Sequence, residues 1–249
     1  MNPLRNLWRT YRMYGRRGAY VLARYYAAKV HATVAGPGRE CPVCGWTGRE
    51  FHPIVYPDHG LWRTKASCPR CGAFERHRAL WFAYGDFFRT RSQRMRILHF
   101  APELCFRDLF KSRSSRYVTS NYVHERSDLR LDLANVGLID GSFDLIIANG
   151  VLTSVPDHRG AIESLYRVLT PGGFALICDV VSPDDVTREN AERPMGLQRS
   201  IGGRDLQDSF RPFDATLVNI AECVPERDRE RFRVPGDDFY LIRLEKPAS

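Results

Sequence analysis

Four cysteines constrain the N-terminal third of this chain more than any other feature. They form two Cys-x-x-Cys pairs, Cys41 with Cys44 and Cys68 with Cys71, and each pair stands in the order Cys-Pro-x-Cys-Gly. Each pair directs two thiolates at one point, and the glycine after it permits the backbone to turn beneath the sulfurs. Two such turns supply the tetrahedral four-sulfur shell that Zn²⁺ prefers, with no open position for water. The spacing therefore predicts a zinc ribbon with one structural zinc ion, and two matched pairs disfavour the alternative of a redox-active pair.

The excess of positive over negative charge lies at the beginning of the chain. The formal charge of the 249 residues is +8, and residues 1–39 contain eight basic residues and no acidic residue. The remainder holds 29 residues of each sign, so the N-terminal arm is the part that is expected to meet an anionic partner. Neither a run of about 18 apolar residues nor a secretory signal is visible, which predicts a cytoplasmic protein.

The N-terminal arm, residues 1–38, has the pattern of an amphipathic helix. Large apolar residues recur at three- and four-residue steps, and arginines follow the same steps on another face. The two sets are Leu4, Leu7, Trp8, Tyr11 and Tyr14, and Arg5, Arg9, Arg12 and Arg16. Gly15 and Gly18 weaken this helix. Three roles are open: a peripheral helix on the anionic inner face of the membrane, a helix along RNA, or a helix packed on the main body with its arginines in water.

From residue 96 onward, short apolar segments alternate with helical ones. The predicted strands are 96–100, 116–120, 143–148 and 173–181, a weaker one at 129–133, and two closing strands at 216–220 and 239–244, with helices at 103–112 and 159–169. This alternation predicts a doubly wound α/β sheet, parallel and covered on both faces, with an antiparallel edge. The predicted organisation is the arm 1–38, a zinc ribbon with a bracing helix 39–90, and an α/β domain 91–249 in which 182–212 is a candidate lid or substrate segment.

Two groups of motifs give the chain a resemblance to a known family. Leu169-Thr-Pro-Gly-Gly before an apolar strand, with Ser142-Phe-Asp before the preceding strand, resembles class I S-adenosylmethionine-dependent methyltransferases. Cys68-Pro-Arg-Cys-Gly-Ala-Phe-Glu-Arg-His-Arg and Leu98-His-Phe-Ala-Pro-Glu are similar to a bacterial, methyltransferase type 11-like group with a zinc ribbon ahead of the catalytic domain. The resemblance covers roughly residues 41–181. It implies a Rossmann-like methyltransferase sheet preceded by the ribbon and an N-terminal helix, with S-adenosylmethionine as cofactor.

The resemblance also implies which residues contact that cofactor. The loop 100–103 would replace the usual glycine-rich turn and face the methionine portion. Asn121 stands where an acidic residue normally holds the ribose hydroxyls, Asp132 with its neighbour matches the pair beside the adenine, and Asn149 with its neighbour would line the floor near the transferable methyl. The implied cofactor residues are Phe100, Ala101, Pro102, Glu103, Asn121, Asp132, Leu133, Asn149 and Gly150.

The chain departs from the family pattern at three places, and they leave its turnover open. Asn121 replaces a carboxylate, the run that begins at Asn149 lacks two histidines and a glutamate, and residues 197–205 lack a substrate-side histidine. Methyl transfer needs an aligned nucleophile more than a base, but an alcohol acceptor would benefit from one. The candidates for this catalytic base are Asp157, His158, His99 and His124; of these, His99 lies in a predicted strand and is expected to be a core residue.

These patterns lead to one main hypothesis and two alternatives. The main hypothesis is methylation of oxygen or nitrogen on a small-molecule or saccharide acceptor, with zinc as scaffold and residues 75–78 bracing the ribbon by ion pairs. The first alternative is an RNA methyltransferase in which the ribbon and the basic arm hold phosphates, assisted by a basic and aromatic loop at residues 51–65. The second is a methyltransferase fold that no longer catalyses and serves as a binding protein.

Overall fold

The computed structural model describes residues 3–33, 38–56, 61–122, 127–189, 199–234 and 240–248. Backbone contacts divide the chain into two compact units. The first unit contains residues 1–81 and 224–234, and the second contains residues 82–223 and 235–249. The domain boundaries predicted at residues 38 and 90 do not group residues 224–234 with the first unit. A short polar helix carries no local sequence signal for the distant residues that it contacts.

Six helices and thirteen strands are described. The helices are α1 Pro3–Thr33, α2 Glu75–Arg89, α3 Arg107–Ser112, α4 His158–Val168, α5 Leu206–Ser209 and α6 Glu226–Phe232, with 3₁₀ turns at Leu104–Phe106 and Leu152–Ser154. The strands are β1 Arg39–Cys41, β2 Trp46–Gly48, β3 His52–Tyr56, β4 Leu61–Ser67, β5 Met95–Phe100, β6 Ser114–Ser120, β7 Phe143–Ile147, β8 Leu169–Asp179, β9 Val181–Ser182, β10 Arg188–Glu189, β11 Arg199–Gly202, β12 Asp214–Asn219 and β13 Tyr240–Glu245.

Helix α1 reverses direction at Gly15, whose φ of 65° and ψ of −161° lie outside the helical region. Across this break, the side-chain amide of Asn6 donates a hydrogen bond of 3.2 Å to the hydroxyl of Tyr26. In a straight helix these two residues would lie about 30 Å apart, so α1 is a helical hairpin. Gly15 was expected only to weaken the helix; it turns the chain because glycine adopts a positive φ without steric cost.

A six-stranded sheet forms the centre of the second unit, with the strand order β12-β13-β8-β7-β5-β6. Strands β6, β5, β7 and β8 run parallel, and β13 runs antiparallel to both β8 and β12. The predicted doubly wound sheet with an antiparallel edge is thereby confirmed. The carboxyl ends of the four parallel strands meet at one edge, which is where such sheets bind ligands.

The weaker strand predicted at 129–133 does not form. Leu129 alone makes a parallel bridge, to Ser120 at the end of β6. Beside it, the Asp128 carboxylate accepts hydrogen bonds of 2.8 and 2.7 Å from the backbone N–H and hydroxyl of Thr119. Because Leu129 lies opposite Ser120, the last residue of β6, residues 130–133 have no further residues of that strand to pair with, which local propensity does not reveal.

The candidate lid, residues 182–212, is partly packed into the second unit. Strands β9, β10 and β11 form a small sheet of their own, and Ile201 and Leu206 belong to the central hydrophobic cluster. Residues 199–209 therefore contribute to the core of the second unit, whereas residues 190–198 lie outside the described residues.

Asp144, from the Ser-Phe-Asp motif, ties β7 to the start of β5. Its carboxylate accepts hydrogen bonds from the backbone N–H and the guanidinium of Arg96, at 2.7 to 3.1 Å. Burial opposes ionisation of Asp144, but the bonds from Arg96 outweigh burial and lower the pKa of the carboxyl. This motif residue thus has a structural role.

Replacing Asp144 with asparagine should lower the free energy of unfolding of the second unit by about 1 kcal/mol at pH 7. The value is small because the side chains of Arg96 and Asp144 are 38% and 32% exposed. A lowered pKa gives stability that is present above the ordinary aspartate pKa and lost as the pH falls through the lowered value. The difference between variant and unaltered protein should therefore stay constant from about pH 8 to about pH 5 and narrow below about pH 4.

Urea unfolding across that pH range measures the difference. The control is Glu163→Gln, which neutralises a carboxylate with a 62% exposed side chain on α4. A difference in the free energy of unfolding that widens as the pH falls would contradict the lowered pKa assigned to Asp144.

Candidate functional site

The four predicted zinc ligands lie together in the first unit. Cys41 ends β1, and Cys68 directly follows β4. All four Sγ atoms lie within 4.8 Å of one another, with 3.7 Å between Cys41 and Cys71 and 3.6 Å between Cys44 and Cys68. A tetrahedral zinc with bonds of about 2.3 Å has sulfur-to-sulfur edges of about 3.8 Å, so the cluster has the size of that shell. All four cysteines are free of disulfides.

The backbone around the sulfurs has the predicted turns. Gly45 and Gly72 have φ of 67° and 74°, and their N–H groups donate to the carbonyls of Cys41 and Cys68 at 2.8 and 3.0 Å. A side chain would strain both positions, since L residues rarely adopt this conformation. The prediction that these glycines let the chain turn beneath the thiols is confirmed.

Close packing makes the thiols of Cys41, Cys68 and Cys71 unequal acids. Hydrogen bonds from Cys41 and Cys71 lower the pKa of Cys68 to about 2, whereas donating to Cys68 and Cys71, together with burial, raises the pKa of Cys41. The sulfurs alone thus favour one thiolate flanked by neutral thiols. Holding four thiolates at these distances calls for a cation among them.

The helix after the second cysteine pair braces the first unit through a buried guanidinium. Arg78 is 0% exposed and lies 3.8 Å from the centroid of the Phe51 ring. Its N–H groups donate to four backbone carbonyls, those of Ala66 at 2.9 Å, Ala73 at 3.0 Å, Phe232 at 2.5 Å and Arg233 at 3.1 Å. Burial lowers the pKa of Arg78 to about 10, so the group remains charged at pH 7. Bracing by ion pairs was expected for residues 75–78. Glu75 forms such a pair with Arg63 at 2.5 Å, whereas Arg78 braces through hydrogen bonds to carbonyls.

The loop between the cysteine pairs offers little to RNA in its described part. Arg63 and Lys65 pair with Glu75 and Glu50 at 2.5 and 3.1 Å, and Phe51 is 1% exposed. The side chains of Tyr56 and Trp62, also predicted to contribute, lie outside the described residues.

In the second unit, a chain of polar groups lies at the carboxyl edge of the parallel sheet. Glu103 stands at its centre, with a side chain that is 12% exposed. One carboxylate oxygen of Glu103 lies 2.8 Å from Nε2 of His99, and the other accepts a hydrogen bond of 3.0 Å from the Asn149 amide. The two partners come from the ends of β5 and β7, so the sheet itself fixes the carboxylate.

Two tyrosines extend this chain of contacts. The Tyr84 hydroxyl accepts a hydrogen bond of 2.7 Å from Asn149, and the Tyr117 hydroxyl lies 2.9 Å from Nδ1 of His99. Burial raises the pKa of both phenols, which therefore stay neutral near pH 7. The Asn149 carbonyl oxygen also accepts from the Cys178 N–H at 3.0 Å. The Asn149 amide is thus committed to protein contacts and positions Glu103, and its implied place on the floor near the transferable methyl stays a prediction.

The other implied cofactor residues surround this edge. Ala101 has a φ of 46°, which is uncommon for a residue other than glycine, and it opens the loop that replaces the glycine-rich turn. Pro102 is half-buried and Asn121 follows β6. The Asp132 carboxylate accepts one hydrogen bond, of 2.9 Å, from the Ala134 N–H.

Three of the implied residues contribute backbone rather than side chain at this edge. Phe100 and Leu133 are buried in the central hydrophobic cluster, at 3% and 4% exposure. Gly150 is exposed with a φ of 63°, and its N–H donates to Cys178 at 2.8 Å.

The candidates for a catalytic base have structural roles instead. Asp157 caps α4 by accepting a hydrogen bond of 2.9 Å from the Gly160 N–H. His158 is buried, and its ring packs edge-on against Phe210 with centroids 5.5 Å apart. His99 is a core histidine, as expected, and His124 lies outside the described residues. We therefore assign no base to Asp157 or His158.

Sequence reasoning missed a second buried carboxylate. Asp179, at the end of β8, accepts hydrogen bonds from the hydroxyl and N–H of Thr153 at 2.6 and 3.2 Å. Burial raises the pKa of Asp179 despite these bonds. Thr153 lies in the run that begins at Asn149 and departs from the family pattern, and its hydroxyl fastens the turn after β7 to β8. The only sequence signal was an aspartate at the end of an apolar strand.

A family model described as "Methyltransferase domain" matches residues 110–177, from α3 to within β8. Among curated proteins, an arsenite methyltransferase of Aquipseudomonas alcaligenes is 35% identical over 72 residues, covering 29% of this chain and 21% of that protein. An arsenite methyltransferase of Halobacterium salinarum is 28% identical over 114 residues, covering 43% of this chain and 28% of that protein. The chain therefore spans less than a third of the length of these relatives.

Solved structures agree on the fold. The S-adenosylmethionine-dependent methyltransferase from Mesorhizobium loti superposes with a TM-score of 0.52 at 15% identity, covering 68% of this chain and 98% of that chain. At this identity the likeness concerns architecture alone. Together with the matched domain and the strand order, it shows that the chain contains a domain with the Rossmann-like fold of class I methyltransferases.

Proposed function

We propose that this protein is an S-adenosylmethionine-dependent methyltransferase that acts on oxygen or nitrogen of a small-molecule or saccharide acceptor. The observation that carries the proposal is Glu103, a carboxylate fixed by His99 and Asn149 at the carboxyl edge of the parallel sheet. Ligands of such sheets bind at this edge, and the matched methyltransferase domain includes two of the strands that form it.

The donor groups at the edge fit the chemistry of this cofactor. The Glu103 carboxylate suits the ammonium of the methionine portion, and the Asn121 amide suits the ribose hydroxyls. Asp132 keeps one carboxylate oxygen for the adenine amino group, because the Ala134 N–H uses the other. The cofactor itself would supply a methyl group on a sulfonium, which transfers to an aligned nucleophile.

The contribution of the protein is alignment rather than proton transfer. Asp157 accepts the cap hydrogen bond of α4 and His158 packs in the core, so we assign the role of a base to neither. Holding two reactants in place can supply much of the acceleration by itself. An acceptor whose lone pair is nucleophilic without prior loss of a proton, such as a neutral amine nitrogen, fits this site better than an unactivated alcohol.

We further propose that Cys41, Cys44, Cys68 and Cys71 bind one structural zinc, which would place the chain in the methyltransferase group with an N-terminal ribbon. Four sulfurs from two turns leave no position for a substrate, so the metal would stabilise the first unit. Free cysteines in the described residues fit a reducing compartment such as the cytoplasm. The RNA alternative is less well supported, because Arg63 and Lys65 already pair with carboxylates.

Calorimetric titration with S-adenosylmethionine and S-adenosylhomocysteine tests the cofactor site. We expect Glu103→Gln to weaken binding about 10- to 100-fold, since a hydrogen bond to a charged group is lost while the side-chain size is kept. Glu163→Gln on the exposed face of α4 should leave binding unchanged.

Each outcome has a separate meaning. If the unaltered protein binds neither compound at millimolar concentration, the methyltransferase assignment fails. If Glu103→Gln binds as tightly as the unaltered protein, Glu103 is not part of the site. Binding without transfer to any acceptor tested would favour the alternative of a fold that has lost catalysis.

A further inference from the structure

The closed end of the α1 hairpin exposes aromatic and apolar side chains to an unusual extent. Trp8, Tyr11, Met13 and Tyr20 are 58%, 49%, 57% and 63% exposed. All four lie within seven residues of Gly15, where the hairpin turns, so a rise of 1.5 Å per residue places them within about 11 Å of the turn. Single exposed apolar residues are ordinary, but four at one end of one element mark an interaction surface.

The same end of the hairpin is strongly cationic. Arg9, Arg12 and Arg16 are exposed there, and residues 1–39 contain no acidic residue that could neutralise them. We name this surface, formed by Trp8, Tyr11, Met13, Tyr20, Arg9, Arg12 and Arg16, the hairpin tip. Aromatic side chains interleaved with cations suit an interface that is apolar on one side and anionic on the other.

Cation-aromatic pairs repeat along the hairpin. The Arg12 guanidinium lies 4.2 Å from the Trp8 ring centroid, and Arg24 and Lys29 lie 5.8 and 6.0 Å from the rings of Tyr20 and Tyr25. Each pair places a cation four residues after an aromatic ring. The stacked guanidinium occupies one face of the Trp8 ring and leaves a nucleobase only the other, whereas insertion among lipid headgroups requires no open ring face. The geometry therefore favours a bilayer over RNA.

We propose that the hairpin tip docks on the surface of an anionic phospholipid bilayer, with the aromatic side chains among the headgroups and the arginines at the phosphates. No helix among the described residues is long and apolar enough to cross a bilayer, so the contact is peripheral. The inference does not depend on the proposed catalytic activity, because it concerns the first unit alone. It would bring acceptors carried in or near a membrane within reach of this protein.

Flotation of the full chain with vesicles provides the test. Vesicles of phosphatidylcholine with about 30% phosphatidylglycerol should capture the unaltered protein, and vesicles of phosphatidylcholine alone should not. Replacing Arg9, Arg12 and Arg16 together with alanine should weaken capture on the order of 100-fold, because each basic residue near an anionic surface adds to the attraction. Replacing Trp8, Tyr11 and Met13 together with alanine should weaken it about tenfold or more.

A matched control distinguishes the effect of where the arginines lie from the effect of the net charge of the protein. Replacing Arg89, Arg159 and Arg211 with alanine removes the same charge from side chains of the second unit that are 76%, 90% and 73% exposed. This control should bind vesicles as the unaltered protein does. Circular dichroism and metal content should be unchanged in all three variants, which excludes misfolding as the cause.

Four results would overturn the proposal. The first is equal capture by neutral and anionic vesicles, and the second is equal loss in the control and the hairpin-tip arginine variant. The third is a hairpin-tip arginine variant that loses binding to a single-stranded RNA 20-mer while the unaltered protein ignores vesicles. Self-association of the unaltered protein through the hairpin tip, seen by sedimentation without vesicle capture, would likewise replace the bilayer with a second copy of the chain.

Discussion

Replacing Cys68 with serine should release the proposed zinc ion and unfold the first unit while the second unit keeps its sheet. Cys68 is 2% exposed, and its sulfur lies 3.6 Å from that of Cys44. The strand pairs of the first unit are short and bury few apolar side chains, so the metal should supply much of its folding free energy. We expect the zinc content to fall from one ion to less than about 0.1 per chain, and the first unit to lose more than about 4 kcal/mol of stability. Metal analysis and hydrogen exchange resolved to residues 1–81 measure the two effects.

The control for this prediction is Cys223→Ser, which changes a thiol of the second unit that lies 3.8 Å from the Asn219 carbonyl. It should retain zinc and exchange protection. Purified protein with no zinc, iron or other metal, and with exchange protection that a strong chelator leaves unaltered, would contradict the metal assignment. The proposed transferase activity would be unaffected by that result.

Replacing Arg78 with methionine should destabilise the first unit by about 3 to 5 kcal/mol. Methionine fills most of the volume and still packs on Phe51, but it leaves four buried carbonyls without the donors that Arg78 now provides. A buried acceptor without a donor costs free energy because it has given up water without compensation. The strongest effect should appear at 224–234, whose Phe232 and Arg233 carbonyls are two of the four acceptors. Hydrogen exchange at α6 and urea unfolding provide the measurement.

Arg76→Met is the matched control, because Arg76 is two residues away and lies 5.6 Å from the Phe74 ring without being fully buried. It should change stability by less than about 1 kcal/mol. Equal effects of the two substitutions would show that Arg78 contributes through general charge and not through its carbonyl contacts.

Much of the fold follows from local patterns, because strand alternation and paired cysteines are properties of neighbouring residues. The parallel strands, the antiparallel edge and the turns at Gly45 and Gly72 are of this kind. The features that were wrong or missed depend on distant partners. The strand at 129–133 does not form because its neighbour β6 ends opposite Leu129, and the reversal at Gly15 depends on a contact between residues 6 and 26.

The candidate site divides in the same way. The loop 100–103 could be located from its motif. The hydrogen bonds that fix Glu103 could not, because they depend on Asn149 and on Tyr84 from another element. No periodicity places these side chains together. Asp157 and His158 were predicted as site residues from their residue type alone. In the structure they are a helix cap and a core contact, which are common roles for a polar residue at the start of a helix.

The return of α6 to the first unit has a consequence for the order in which the protein is made. Residues 1–81 are synthesised well before 224–234, so until those residues follow, only the Ala66 and Ala73 carbonyls among its four acceptors are available to the Arg78 guanidinium. The first unit is thus completed only after residues 82–223 of the second unit have been translated. A fragment that stops near residue 90 lacks the closing helix α6, and its Arg78 lacks two of its acceptors.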